Sequence, residues 1–327
     1  RPWPPKLNVL MEVFVKKLSF ITRLFLSNVI FSIPVVVLVY LMFAAETGNI
    51  DFAKKELKGD RLQKPLEALM KDISSRKLKV VRQISVAKAT PSTGDLDQKI
   101  DQELVVLQAA LDEVGADLEF SAEGLKKRQR EDLTIEKLKQ KWVVLRDARS
   151  GSVAETIARH QEIVTHLRGM VAHAGDTSNL ILDPDLDSYY LMDVTLLALP
   201  QTQDRLQEIA TFIEPLLVEG HKWTEAEKVQ LAVYKNLVKQ SDVDRVTGSL
   251  QTAFNEDDHF NGASPSLKAN LQPEVERYKK ANEALIALMD RVFANPSETG
   301  LSEQFSKAHD EVLASSFSFW EKAVEEL

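Results

Sequence analysis

The chain has no cysteine among its 327 residues. Disulfide staples, thiolate metal sites and cysteine nucleophiles are thereby excluded. Glycine and proline are scarce, at 12 each, and aromatic residues make up only 7%. So few turn formers suit long helices better than a fold of many strands. A long basic stripe is also lacking. The net charge is −8, and nucleic-acid binding needs clustered Lys and Arg to displace counterions. The one basic cluster, Lys126 to Arg130, runs straight into Glu131 and Asp132 and reads as a solvated surface. There is no phosphate-cradling glycine loop and no nucleophile elbow. No catalytic residue, metal or cofactor is assigned, and no nucleic-acid partner is expected.

The most prominent feature present is a run of 22 uncharged residues, Leu24 to Ala45. At about 1.5 Å per residue it would span roughly 33 Å, enough for a hydrocarbon core. Lys16, Lys17 and Arg23 precede it, and Glu46 and Asp51 come after it. Up to residue 45, five cations face one acid, a balance of +4, which leaves −12 for the rest. The positive-inside rule then predicts a cytoplasmic segment at 1–23, a transmembrane helix at 24–45 and an extracytoplasmic domain at 46–327. A cleaved signal peptide would have a shorter apolar run. Met11 is a plausible start of its own, and the chain is expected to continue past Leu327 to a second membrane helix.

Beyond Glu46 the period is helical. Phe52, Gly59, Leu66, Ile73 and Val80 recur every seven residues, with Leu62 and Leu69 at the alternate positions. This is a heptad seam, which Pro65 is expected to kink. Pro91 to Asp95 ends it. Further helices are predicted over 96–120 and 135–145. Ser152 to Glu155 is a capping box. It opens a second seam of Ile157, Val164, Val171 and Ser178, with Leu167, Ala174 and Ile181 between, stopping near Leu182. Asp183-Pro184 reads as a cap and a first helical proline. Later helices run from there to about 217, from a second capping box at Thr224 to about 254, from Ser264-Pro265 to Asn295, and from Leu301 onward. The predicted fold is all-α: a transmembrane helix, then an elongated antiparallel helical bundle, as one body or two stacked modules.

Two stretches carry a resemblance. IDFAKKELKG at 50–59, with Pro65-Leu66 shortly after, resembles the segment after the first membrane helix of many bacterial chemoreceptors and sensor kinases. SNLILDPDLDSYYLMD at 178–193 resembles a signature of the same helical sensor domains. The likeness implies the sensor portion of a methyl-accepting chemotaxis receptor. The alternatives are the sensory half of a histidine kinase or diguanylate cyclase, and a structural protein tethered to the membrane. It is also similar in architecture to helical bimodular sensors, which bind small organic acids between helices. The partners it implies are a small-molecule ligand or a periplasmic binding protein. A homodimer is expected along the heptad faces.

Candidate ligand residues are Arg159, Arg168, Asp183, Asp187, Tyr189 and Tyr190. Arginines hold carboxylates through paired hydrogen bonds, and Arg146 and Arg149 are of the same kind. The aspartates also suit a helix N-terminus, where carboxylates meet unpaired N–H groups. In that reading Leu186, Tyr189, Tyr190 and Met192 are mainly core. His160, His166 and His173 lack the spacing of a zinc pair, and Glu162 with His166 has no third ligand.

Overall fold

A computed structural model of the chain describes residues 19–148, 152–182, 185–259 and 262–327. Arg149, Asp183, Pro184 and the cations before Arg23 lie outside them. Every regular element among the described residues is helical. The chain divides into a unit up to Lys54 and a unit from Lys55 to Leu327.

Helix α1, Phe20–Val81, begins with the apolar run. It is long and apolar enough to cross a membrane, and its most apolar stretch has no buried residue. Pro34 and Pro65 do not interrupt it. The expected ending at Pro91 to Asp95 is met slightly early: a π-helical turn, Arg82–Val86, closes α1 before the irregular stretch that precedes α2.

In the unit from Lys55, the seam residues Gly59, Leu62, Leu66, Leu69, Ile73 and Val80 are all buried. Leu62, Leu66, Leu69 and Ile73 pack with residues of α2 (Gly94–Val114), α4 (Ile135–Asp147) and α5 (Val153–Ser178); the short α3 (Ala122–Lys127) lies between α2 and α4 in the chain. Leu62, Leu66, Ile100, Leu107, Trp142, Val164 and Leu167 belong to one apolar cluster. Burying apolar area at about 25 cal/mol per Å² is what holds such a cluster together. Gly59 allows the closest approach. A Cβ there would sit 2.4 Å from the Ser178 side chain and 2.8 Å from Leu180.

Helix α5 opens on the predicted capping box, with the hydrogen bonds of Ser152 and Glu155 both formed. It ends at Ser178, earlier than expected, because Asn179 turns left-handed at φ 71°. A 3₁₀ turn comes next at Leu180–Leu182, and α6 covers Leu186–Met192. The cap of α6 is therefore Asp185. A π-helical turn, Asp193–Ala198, leads into α7 (Leu199–Leu216).

The Thr224 capping box opens α8, Glu225–Leu237. The single helix expected to 254 is instead two. A π-helical turn, Val238–Asp244, separates α8 from α9 (Arg245–Glu256). The wider turn admits an extra residue and shifts the faces of α9 relative to those of α8. Asp242, in that turn, is buried against Arg205 of α7. Helices α10 (Leu267–Ala294) and α11 (Leu301–Glu326) fall where the sequence puts them. A second apolar cluster joins Leu78, Leu206, Ile213, Leu285, Phe305 and Val312. A third joins Leu199, Val246, Leu271, Tyr278 and Phe319.

Candidate functional site

Stepping seven residues along two of the seams reaches a pair of polar residues that meet in the fold. On α1 the alternate positions Leu62 and Leu69 are succeeded by Arg76. On α5 the alternate positions Leu167 and Ala174 are preceded by His160. The two meet: Arg76 Nη1 donates to His160 Nε2 at 3.1 Å. His160 in turn donates from Nδ1 to the Thr156 carbonyl at 2.6 Å. These partners assign the Nδ1–H tautomer and leave Nε2 as acceptor. Burial holds the imidazole neutral, pushing its pKa down to about 3; the Arg76 and Lys77 charges add to this, against the bond to Thr156.

Arg76 is itself buried. Its Nε donates to Asp97 Oδ1 of α2 at 2.6 Å, and its guanidinium lies 5.4 Å from the centre of the Trp142 ring. Beside it a cavity of about 150 Å³ opens between α1, the C-terminal end of α4 and the first turns of α5. Arg76, Arg146, Arg159, His160 and Glu155 line it. Arg146 is held by Asp101, with both oxygens at 3.2 Å, and by Asp147 at 3.0 Å. Arg159 is exposed and makes no ion pair among the described residues. Glu155 is committed to its cap, and its hydrogen bond from the Ser152 backbone lowers its pKa below 4.5. The guanidinium of Arg159, whose charge also helps to lower Glu155, thus stands outside any ion pair among the described residues, beside two other arginines. That is the geometry that takes a carboxylate in paired, charge-assisted bonds. The volume lies well below the roughly 300–1,000 Å³ of drug-sized sites, so it suits an anion of a few carbon atoms.

The other candidates do not gather here. Arg168 pairs with buried Asp204 of α7 at 3.2 Å. It stands nine residues after Arg159, which at about 100° per residue is the opposite face of α5. Asp183 lies outside the described residues. Asp187 accepts from its neighbour's backbone, Ser188 N, at 2.8 Å, in the first turn of α6. Tyr189 and Tyr190 pack edge to face, 5.5 Å between centroids. Leu186 and Tyr189 are exposed and Tyr190 half-buried, so only Met192 of the expected four is core. Asp193 is anchored to Arg245 at 2.6 Å and Ser249 at 3.0 Å.

The three histidines of α5 stand apart from one another, each facing a different cation. His166 Nδ1 accepts from Lys141 at 3.3 Å, and burial, then Lys141, pushes its pKa down to about 4. His173 Nδ1 accepts from Arg130 at 3.4 Å, and burial lowers its pKa too. Arg76, the residue that builds the cavity wall, escapes a search for exposed arginines; its signal is a cation seven residues after Leu69. Compared with known proteins, the chain matches no family model, no curated protein and no solved structure.

Proposed function

We propose that this chain is the ligand-sensing portion of a bacterial transmembrane signal receptor, of the methyl-accepting chemotaxis kind, and that its ligand is a small organic acid. In this reading the run from Leu24 to Ala45 crosses the inner membrane, and residues 46–327 form an extracytoplasmic antiparallel bundle in two modules. One observation carries the sensing role: Arg76, in the wall of the cationic cavity, belongs to the same helix as the apolar run. An anion drawn to Arg76 and Arg159 bears on α1 and α5 together. A ligand that binds one packing of these helices better than another shifts their equilibrium, and packed helices move between discrete arrangements.

The test is calorimetric titration of the full chain in lipid nanodiscs with short mono- and dicarboxylates. One acid class is expected to bind saturably. Losing a charge-assisted bond costs about 1.5–3 kcal/mol, so Arg159→Ala should weaken that acid about 10- to 100-fold. Equal affinity in the variant removes the site from the proposal, and no binding by any acid removes the ligand class.

A further inference from the structure

A second cavity, of about 390 Å³, opens between α1, α2 and α11. Its chemistry differs from the arginine site. Glu67 lines it and is only 2% exposed, yet its Oε1 has no hydrogen-bond partner among the described residues. Glu103 of α2 lines it as well, with Oε2 equally unpartnered. Facing these acids are three lysines. Lys99 is already committed, 2.7 Å from Asp72 and 3.8 Å from Glu103 Oε1. Lys64 and Lys71 make no ion pair among the described residues, and Lys71 Nζ sits 4.6 Å above the Phe317 ring. Phe317 and Trp320 supply an apolar wall, both of them buried. Trp320 is fixed by its Nε1–H, which donates to the Thr195 carbonyl at 2.8 Å.

Two carboxyls, each with one unpartnered oxygen, two ammoniums outside any ion pair among the described residues and an aromatic wall thus share one space. Buried polar groups that lack partners are costly, and a ligand carrying both charges would satisfy both sets. We propose that this cavity binds a zwitterion, an α-amino acid with an apolar side chain. Its ammonium would lie between Glu67 and Glu103, its carboxylate on Lys64 and Lys71, and its side chain against Phe317 and Trp320. The site is separate from the arginine cavity and holds whether or not an organic acid binds there.

Binding at this site is linked to protons. Burial, with the charge of Asp204 on α7, raises Glu67 to about 8 against the opposing charge of Lys71. Burial and the neighbouring Asp72 raise Glu103 to about 8 against Lys99 and Lys71. Also facing this space are Glu321 and Glu325 of α11, the latter bonded to Lys322 at 2.6 Å and held low. Near neutrality both buried acids carry protons, and an arriving ammonium ionises them. Binding should release protons, so affinity should rise between about pH 6 and 8, by at most about tenfold per unit for each proton released.

The experiment is calorimetry on the full chain in nanodiscs with leucine and phenylalanine, beside their halves: isoamylamine and phenethylamine, isocaproate and hydrocinnamate. The amino acids are expected to bind at least about tenfold tighter than either half, with proton release read from the dependence of heat on buffer. Glu67→Gln should weaken binding and flatten the pH profile. A carboxylate half that binds as tightly as the amino acid, and tighter at low pH, overturns the proposal. So does an amine half that binds as tightly as the amino acid, or the absence of amino-acid binding at millimolar concentration. The wild-type titrations decide among these outcomes even if a variant does not fold.

Discussion

Replacing Glu67 with Gln should stabilise the protein at neutral pH and leave it nearly unchanged in acid. Glu67 is fully buried in the wall of α1, and its pKa is pushed from 4.5 to about 8. Below about pH 4.5 both folded and unfolded chains carry its proton, so the fold suffers no penalty. Between 4.5 and 8 the unfolded chain gives the proton up and the folded one keeps it. Stability contributed by the neutral acid is therefore lost as pH rises through this window. Each unit corresponds to about 1.4 kcal/mol, so at pH 7 the loss is about 3 kcal/mol. Gln keeps the shape and never ionises. Urea denaturation of both proteins across about pH 4 to 9 measures the difference directly. The two curves should converge near pH 4 and separate by about 3 kcal/mol at pH 7. Because Glu103 titrates in both proteins, its contribution cancels in the difference. A pH-independent gap between the curves would refute the reasoning, since it would mean Glu67 is ionised in the fold throughout.

Gly59→Ala should destabilise by about 1–3 kcal/mol, since the new methyl meets Ser178 at 2.4 Å and overpacking costs of that order; Ser178→Gly in the same chain should recover part of the melting temperature. Arg76→Met and His160→Leu together should cost less than the sum of the two single changes, because either change alone strands the other partner of the pair, while the bond of Arg76 to Asp97 is lost in both variants that lack Arg76. A double-mutant cycle by chemical denaturation should show a coupling of about 0.5–3 kcal/mol. Asp187→Asn and Tyr189→Phe should leave ligand titrations and melting temperature nearly unchanged, within about 0.5 kcal/mol, because Asn can still accept from Ser188 N and Phe keeps the ring contact with Tyr190.

Much of the helical layout is written in local chemistry. The capping boxes at Ser152 and Thr224 form as their residue types require, and Leu301 opens α11 after a left-handed Gly300. The α1 seam is buried from Gly59 on, and Val164, Leu167, Val171, Ala174 and Ser178 of α5 are buried too, whereas Phe52, Ile157 and Ile181 are only half-buried. Misreadings arise where tertiary contacts decide. The π-helical turn at Val238–Asp244 places Asp242 against Arg205, a partner 37 residues away that no window around the turn contains. Of the candidate residues, Arg159 reaches a cavity and Arg168 does not, and helical arithmetic alone separates them by half a turn. Arg76 was legible too, as a cation seven residues after Leu69, but the cavity that it walls needs α4 and α5 brought to it.

The histidines of α5 have a consequence for how the fold comes apart. Each accepts a hydrogen bond from a cation on a different element: His160 from Arg76 of α1, His166 from Lys141 of α4, His173 from Arg130 in the turn before α4. Their pKa values are depressed in the fold, so their contribution to stability is complete above about pH 6.5 and is withdrawn as acid drives it towards about 4 at His166 and 3 at His160. A proton arriving at any of the three turns an accepting pair into two like charges. Helix α5 is in effect an acid-triggered seam release, and amide exchange on acidification should quicken along 156–173 before it does in α10 or α11, whose shared cluster includes Phe305, Leu285 and Val312 and whose buried imidazole, His309, faces the Asp310 carboxylate at 3.1 Å.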